Sequence, residues 1–280
     1  CSYYILINIM IIIMLIFYLF VIVQSYYDED ITKTALNISQ SAYCMSYLDD
    51  WTCATCMNTN IFETKIIKDH ELVIVGYNKI YDSIFVGFRG SSNIQNWLDN
   101  LQFSHTSPYD DNLISVEKGF YKIYNSLQQL LYDTIDELSL KYDTTNILIT
   151  GHSLGGAIAS LFAFDIYYYS FPYQITSLIT FGSPRVGNNY FSEYMYSFPF
   201  TSYRITHYYD IVPHVPEQLL NYKHISQEIW YNKNNTDYLI CQDENEEDPN
   251  CSNSCAPFQC TSINDHFNYI NISMGNDGTC

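Results

Sequence analysis

Residues 146–157 place a serine between two glycines, with a predicted strand before it and a predicted helix after it, and no other segment restricts the possible folds of this chain as strongly. The segment reads Asn-Ile-Leu-Ile-Thr-Gly-His-Ser-Leu-Gly-Gly-Ala. A G-x-S-x-G pattern is informative only in this strand–turn–helix context. Side chains at Gly151 and Gly155 would collide across so sharp a turn. The pattern therefore predicts that Ser153 is a nucleophile at a helix N-terminus, where the N–H of Leu154 can face a developing oxyanion.

Around this segment, strand-like and helix-like patterns alternate, which predicts an α/β fold with a mostly parallel central sheet and helices on both faces. Apolar residues recur at helical spacing in 28–48, 117–141 and 157–169. The predicted strands are 72–77, 83–89, 146–150, 177–181 and 203–207.

Composition excludes some classes of function. Lys and Arg total 12 against 30 Asp and Glu, which gives a formal net charge of −18. Nucleic-acid phosphates need a basic face, so we expect no nucleic-acid partner. Strong binding to anionic membranes is also disfavoured, and any contact with lipid should be mainly apolar.

The N-terminal segment is apolar and uncharged from Ile5 to Val23. Because small polar residues follow it, we interpret 1–25 as a secretory signal peptide and 26–280 as a single domain. An uncleaved membrane anchor is the alternative, since the run is long enough to span a bilayer. These interpretations predict a secreted or endolysosomal location, or a membrane-anchored one if the segment is retained.

Cysteine usage agrees with export. Without Cys1, eight cysteines remain, and an even set behind an export signal indicates disulfides. Cys53-Ala54-Thr55-Cys56 also has the spacing of zinc ligands, but no second such pair accompanies it. We therefore expect no metal site.

A nucleophilic serine needs a base and an acid that orients the base. In α/β-hydrolases these follow the serine in the order acid, then histidine. Asp210 follows the predicted strand 203–207, at the sheet edge where active sites of such folds form. His266 is the last histidine of the chain and is the expected base. Its neighbour Asp265 is a rival acid, disfavoured because adjacent residues rarely orient each other's side chains.

A second oxyanion donor is expected in the loop after the strand that ends at Arg89, and Ser91 is the candidate. The next residues predict a short helix with Ile94, Trp97 and Leu98 on one apolar face. This helix either packs onto the core or acts as a lid that covers the site in water and opens on lipid.

Together these motifs resemble the class 3 lipases, the filamentous-fungus triacylglycerol lipases. The resemblance rests on Phe88-Arg89-Gly90-Ser91-Ser92, the G-x-S-x-G segment, Gly182-Ser183-Pro184-Arg185-Val186-Gly187, the run from Asp210 to Pro216, and Asp265-His266. It implies the α/β-hydrolase fold, a Ser153–His266–Asp210 triad, oxyanion donors at Ser91 and Leu154, and a lid at 92–100.

The resemblance also implies three disulfides, Cys44–Cys280, Cys53–Cys56 and Cys241–Cys251, with Cys255 and Cys260 as additions that can pair with each other. It implies a monomeric enzyme that needs no cofactor and cleaves acylglycerol esters at an oil–water or membrane interface. The alternatives on the same scaffold are a phospholipase, a galactolipase or a feruloyl-type esterase. A lipid-binding module without turnover is the alternative from another class of protein.

Overall fold

A computed structural model describes residues 27–68, 72–100, 103–242, 247–256, 258–275 and 280. The described residues from Thr32 to Cys280 form one compact unit. The predicted leader at 1–25 lies outside the described residues. Across the described ranges, no helix combines the length and apolar composition needed to cross a bilayer.

Within the described residues, eight strands form the central sheet, in the order β1-β2-β3-β6-β7-β8-β9-β10. The five strands from β3 to β9 in that order run parallel, while β1, β2 and β10 pair antiparallel at the two ends. The strands are β1 (Ile61–Lys68), β2 (Leu72–Asn78), β3 (Ser83–Phe88), β6 (Asn146–His152), β7 (Gln174–Phe181), β8 (Thr201–His207), β9 (Gln227–Tyr231) and β10 (Tyr238–Ile240). Two small hairpins lie outside the sheet, β4 (His105–Thr106) with β5 (Val116–Glu117), and β11 (Asn268–Tyr269) with β12 (Ile272–Ser273). This arrangement confirms the predicted mostly parallel sheet.

The helices are α1 (Glu29–Ser41), α2 (Ala54–Met57), α3 (Ile94–Asn100), α4 (Lys118–Tyr142), α5 (Leu154–Tyr168), α6 (Asn189–Ser197) and α7 (Ile263–His266). Short 3₁₀ turns occupy Met45–Tyr47, Val212–His214, Gln218–Leu220 and Ser252–Cys255. The long helix α4 has defined ends. The Glu117 side chain accepts from the N–H of Phe120 at 2.7 Å, and Asp143 closes the helix in a left-handed conformation.

Helices cover both faces of the sheet, as predicted. Ile147 and Ile149 of β6 belong to the apolar core that α4 and α5 also line. Thr150 points the other way, because successive strand residues alternate between faces. Its hydroxyl contacts the Ser39 hydroxyl of α1 at 2.8 Å. The central strand is thus buried on both sides, which explains its near-continuous apolar sequence.

The bounds of two helices differ from the predicted ones. The first helix ends at Ser41 rather than at Leu48, and the helix after the serine begins at Leu154 rather than at Ala157. The sequence patterns did not predict β1, β9, β10 and α6. The edge strands β1 and β10 and the short helix α6 bury only part of their surface, so their apolar periodicity is weak.

A buried carboxyl group lies between the two core helices. Asp165 of α5 accepts hydrogen bonds from the Tyr124 hydroxyl and the Gln128 amide of α4, each at 2.8 Å. Burial raises the pKa of Asp165 to about 6, although these donors oppose the shift. The folded protein therefore binds this proton more tightly than the unfolded chain, in which an aspartate titrates near ~3.9. The resulting stability is present at low pH and is lost as the pH rises through about 6.

We predict that Asp165→Asn removes this pH dependence. From pH 4 to pH 7, the free energy of unfolding of the wild type should fall relative to that of the variant by on the order of 2–3 kcal/mol. Urea titrations of both proteins across this range measure the difference, and a difference that stays constant with pH contradicts the prediction.

Candidate active site

Ser153 lies at the junction of β6 and α5 in a strained backbone conformation. Its φ is 59° and its ψ is −131°, a region that residues with a side chain rarely adopt. Its N–H donates to the Phe181 carbonyl at 2.9 Å, which ties the turn to the end of β7. Leu154 follows as the first helical residue, so its N–H precedes the first intrahelical hydrogen bond.

The turn depends on close backbone packing at Gly155. A Cβ atom there would overlap the Phe88 carbonyl at the end of β3, and one at Gly151 would overlap the Gly155 carbonyl. Both contacts are with backbone atoms, which cannot rotate away as a flexible side chain can. These glycines therefore let the turn around Ser153 lie directly against β3, the strand that leads to Ser91.

Asp210 and His266 form a buried pair. His266 Nδ1 lies 2.9 Å from Asp210 Oδ2 and 3.1 Å from Oδ1. Asp210 follows β8, and His266 ends α7, a segment that a parallel bridge between Asp210 and Ser262 brings alongside. The side chains are 56 residues apart in sequence and each is 1% exposed.

Two further donors hold the Asp210 carboxylate. The N–H of Val212 donates to Oδ1 at 2.9 Å, and the Tyr269 hydroxyl donates to Oδ2. Burial, and then the neighbouring Asp210, raise the pKa of Tyr269 well above its usual value, so this hydroxyl keeps its proton. Sequence reasoning missed Tyr269, and its spacing of three residues after His266 is the only signal that the sequence contains.

His152, the variable residue before Ser153 in the motif, packs against the predicted base. The rings of His152 and His266 are 4.4 Å apart between centroids. His152 Nε2 lies 2.9 Å from the backbone oxygen of His266, and Nδ1 lies 2.8 Å from the Tyr43 hydroxyl. Burial, and then the proximity of His266, lower the pKa of His152 well below its usual value. The motif analysis assigned no role to His152 or Tyr43.

The reactive atoms are enclosed. Counted over whole residues, Ser153 is 1% exposed and His266 is 0% exposed. Among the residues that the structure describes, neither Ser153 Oγ nor His266 Nε2 has a hydrogen-bond partner. An ester can therefore reach Ser153 only after part of the surrounding protein moves.

Ser91 follows Gly90, which lies close to Ser153, and helix α3 begins three residues later at Ile94. The Ser91 hydroxyl and the Asn93 backbone are in contact at 3.3 Å, so the hydroxyl is engaged locally. Helix α3 starts with its Asn96 N–H donating to the Asn93 side chain at 3.0 Å. On its inner face Ile94 is buried, and Trp97 and Leu98 are partly buried. Trp97 stacks on Phe120 of α4, with 6.1 Å between ring centroids.

A buried ion pair anchors the loop after Asp210. Arg185 donates Nε to Glu247 Oε1 at 2.7 Å and Nη2 to Oε2 at 2.6 Å. Its Nη1 donates to the carbonyls of His214 and Pro216, each at 2.8 Å. This planar, multidentate use explains why the position carries arginine.

Comparison with known proteins agrees with this geometry. The family described as Lipase (class 3) matches residues 85–220. The lipase of Rhizomucor miehei is 33% identical over 248 residues, which are 85% of this chain and 67% of that protein. The structure of lipase II from Rhizopus niveus superposes with a TM-score of 0.80 at 31% identity, over 88% of this chain and 95% of that one. The chain belongs to the class 3 lipase family.

A third relative of this class 3 lipase is a secreted mono- and diacylglycerol lipase of Fusarium solani, 33% identical over 147 residues, or 52% of this chain and 43% of that protein. The chain spans about two thirds of the full-length sequences of its relatives: 67% of the Rhizomucor miehei lipase and 65% of the Rhizopus niveus lipase.

In this class 3 lipase the structure brings Ser153, Asp210 and His266 to one edge of the sheet. Two other histidines make contacts elsewhere. His207 contacts the backbone oxygen of Asp265 at 2.9 Å, and His224 contacts that of Pro213 at 2.6 Å. Asp265, the rival acid, thus contacts His207 through its backbone oxygen.

The cysteines pair as the resemblance implies. Disulfides join Cys44 to Cys280, Cys53 to Cys56, Cys241 to Cys251, and Cys255 to Cys260. The first links the end of the α1 segment to the C-terminal residue, 236 positions away.

We predict that Gly155→Ala damages the nucleophile turn of this lipase. The added methyl group meets immovable backbone, so the variant should lose at least about 2 kcal/mol of unfolding free energy together with most esterase activity. Gly119→Ala is the matched control, because the nearest atoms to its new Cβ belong to the Glu117 carboxylate, the end of a flexible side chain. Denaturant titration and ester hydrolysis test both variants, and equal stability of the two would contradict the prediction.

Proposed function

We propose that this chain is a lipase that hydrolyses acylglycerol esters through Ser153, His266 and Asp210. One observation supports this most directly. A buried Asp210–His266 pair, joined at 2.9 Å, lies beside a strained serine turn in a chain of the class 3 lipase family. These residue types in this order perform acyl transfer in α/β-hydrolases.

In the proposed reaction, His266 Nε2 takes the proton of Ser153 Oγ as the oxygen attacks the ester carbonyl. Asp210 keeps the proton of the neutral ring on Nδ1 and stabilises the imidazolium that forms. The alcohol leaves with the proton from His266, and water then releases the acid by the same steps. Hydrogen bonds between nucleophile and base often tighten only with substrate bound, so we expect the Ser153–His266 hydrogen bond to form in the substrate complex.

The oxyanion of the tetrahedral intermediate is stabilised by the N–H of Leu154 and by Ser91. The first is supported by the position of Leu154 at the start of α5, where the helix dipole adds to the free N–H. Ser91 needs its hydroxyl released from Asn93 before that hydroxyl can donate. Formation of the complete oxyanion site is thus coupled to movement of the segment that leads into α3.

The substrate is a lipid ester at an interface, and α3 is the lid. Two observations support this assignment: Ser153 and His266 are almost fully enclosed, and the inner face of α3 carries Ile94, Trp97 and Leu98. Opening in water would expose these side chains at a cost, whereas a lipid surface would receive them. The same surface thereby selects the open enzyme and supplies its substrate.

We further propose export as a monomer, with 1–25 removed as a signal peptide and 26–280 forming one domain. Four disulfides support an oxidising compartment. The Fusarium relative is itself described as secreted. The relatives lend no support to the membrane-anchored or endolysosomal alternatives.

Replacement of the nucleophile tests the activity. We expect Ser153→Ala to lose at least about 10³-fold in kcat on a soluble short-chain ester, with an unchanged melting temperature. It should also lose covalent labelling by a fluorophosphonate. Ser160→Ala is the control, since it removes a buried hydroxyl from the same helix, bonded at 2.8 Å to the Gly156 carbonyl. Comparable turnover of Ser153→Ala and Ser160→Ala would exclude the proposed nucleophile.

Substitution of the lid tests the response to an interface. Trp97→Ala removes the stack on Phe120 that holds α3 closed, and it also removes apolar surface that enters lipid. We therefore expect higher activity on dissolved ester and a smaller jump in rate above the solubility limit of tributyrin. Gln95→Ala, on the exposed side of α3, should behave like the wild type. A rate jump unaltered by Trp97→Ala would rule out this role of the helix.

A further inference from the structure

The Tyr43 hydroxyl bridges two parts of the candidate site. It lies after α1 and its side chain is buried, with 5% exposed. The N–H of Gly90, the residue before Ser91, donates to this hydroxyl at 3.1 Å. On its other side the hydroxyl lies 2.8 Å from Nδ1 of His152, the residue before Ser153.

The neighbouring groups determine the direction of each hydrogen bond. The backbone oxygen of His266 can only accept, so Nε2 of His152, at 2.9 Å, carries the proton. Nδ1 of a neutral ring is then an acceptor, and Tyr43 donates to it. Burial and the adjacent His266 lower the pKa of His152, which keeps the ring neutral. The lone pairs of the Tyr43 hydroxyl remain available for the Gly90 N–H.

The result is one chain of hydrogen bonds that connects the loop at Gly90, the turn at Ser153 and the segment of His266. It runs from the Gly90 N–H to Tyr43, from Tyr43 to His152, and from His152 to the backbone of His266. Gly90 also lies against the nucleophile, since a Cβ added there would be 3.0 Å from the Cβ of Ser153. A shift of Gly90 would therefore move the N–H of Ser91 relative to Ser153.

We propose that Tyr43 and His152 are positioning residues that hold the oxyanion loop and the backbone of the catalytic histidine in place around Ser153. The inference rests on the proposed ester hydrolase function. Neither residue touches the substrate or exchanges a proton with it. Their effect is on the transition state, because the oxyanion develops only there and donors must already point at it.

Tyr43→Phe tests this role with the ring retained and only the hydroxyl removed. On a soluble short-chain ester we expect kcat to fall roughly 10- to 100-fold, with KM within about 2-fold of the wild-type value. The second-order rate of fluorophosphonate labelling should fall by the same factor, because that reaction also builds negative charge on an oxygen at the oxyanion site. A purely structural role would lower the folded fraction and leave kcat per folded molecule unchanged.

Tyr124→Phe is the matched control. It also removes a buried tyrosine hydroxyl, one bonded at 2.8 Å to Asp165 between α4 and α5. It should lower the melting temperature about as much as Tyr43→Phe does and keep wild-type kcat and labelling. Equal kcat losses in the two variants would overturn the proposal.

A double-mutant cycle with His152→Leu tests whether the two residues act together. If they form one unit, the Tyr43→Phe/His152→Leu variant should lose no more in kcat than the worse single variant. Losses that multiply would refute the shared role. If Tyr43→Phe does not fold, His152→Leu tests the proposal alone, and wild-type kcat in that variant would overturn it.

Assays of the wild-type protein distinguish a failure of the positioning role from a failure of the proposed function. Wild type that neither hydrolyses esters nor reacts with the fluorophosphonate contradicts the hydrolase assignment itself. Active wild type with an equally active Tyr43→Phe contradicts only the positioning role.

Discussion

The backbone contact between the nucleophile turn and the end of β3 is the constraint on which the site depends. Gly155 lies so close to the Phe88 carbonyl that no side chain fits between them. Because β3 and β6 are parallel neighbours, their carboxyl ends meet at one edge of the sheet. The same contact therefore places the loop that carries Ser91 beside Ser153. The parallel strand β8 brings Asp210 to that edge, and the Asp210–Ser262 bridge brings in the segment of His266.

Burial of Asp210, His152 and Arg185 at this edge is tolerated because each of these side chains has specific partners. An unpaired buried charge is costly, and removal of one member of a buried ion pair typically costs about 3–5 kcal/mol. Asp210 accepts from three neighbouring groups, His152 is held neutral between two, and Arg185 makes four hydrogen bonds to Glu247 and two carbonyls. These networks restrict each group to one orientation, which catalysis at a fixed geometry requires.

Because Ser153 and His266 are enclosed, part of the protein around this preorganised edge must move before an ester can enter. The residues behind Ser153 belong to the sheet, α5 and the hydrogen-bonded chain through His152. Helix α3 follows Ser91 in the chain, with Ile94 buried and Trp97 packed on the core. Under the lid proposal, a lipid surface replaces this apolar contact. In the proposed enzyme, the residues around Ser153 keep their positions during the chemical steps, and movement of α3 lets the substrate in. Ser91, whose hydroxyl contacts the Asn93 backbone, lies in the chain between the end of β3 and α3.

The fold class, the turn around Ser153 and the order of the candidate triad can be predicted from the sequence alone. These properties are encoded locally: apolar periodicity marks the central elements, and only glycine satisfies the steric demands at 151 and 155. Motif order then selected Asp210 and His266 without any distance information.

The distant groups that complete the site are recognisable only in the folded structure. Tyr43, His152, Tyr269 and the Arg185–Glu247 pair are ordinary residues in sequence, and their partners lie tens to more than a hundred positions away. Hydrogen bonds depend on distances of about 3 Å and on direction. Such contacts exist only after the strands have paired and their loops meet at one edge, so no local pattern can encode them.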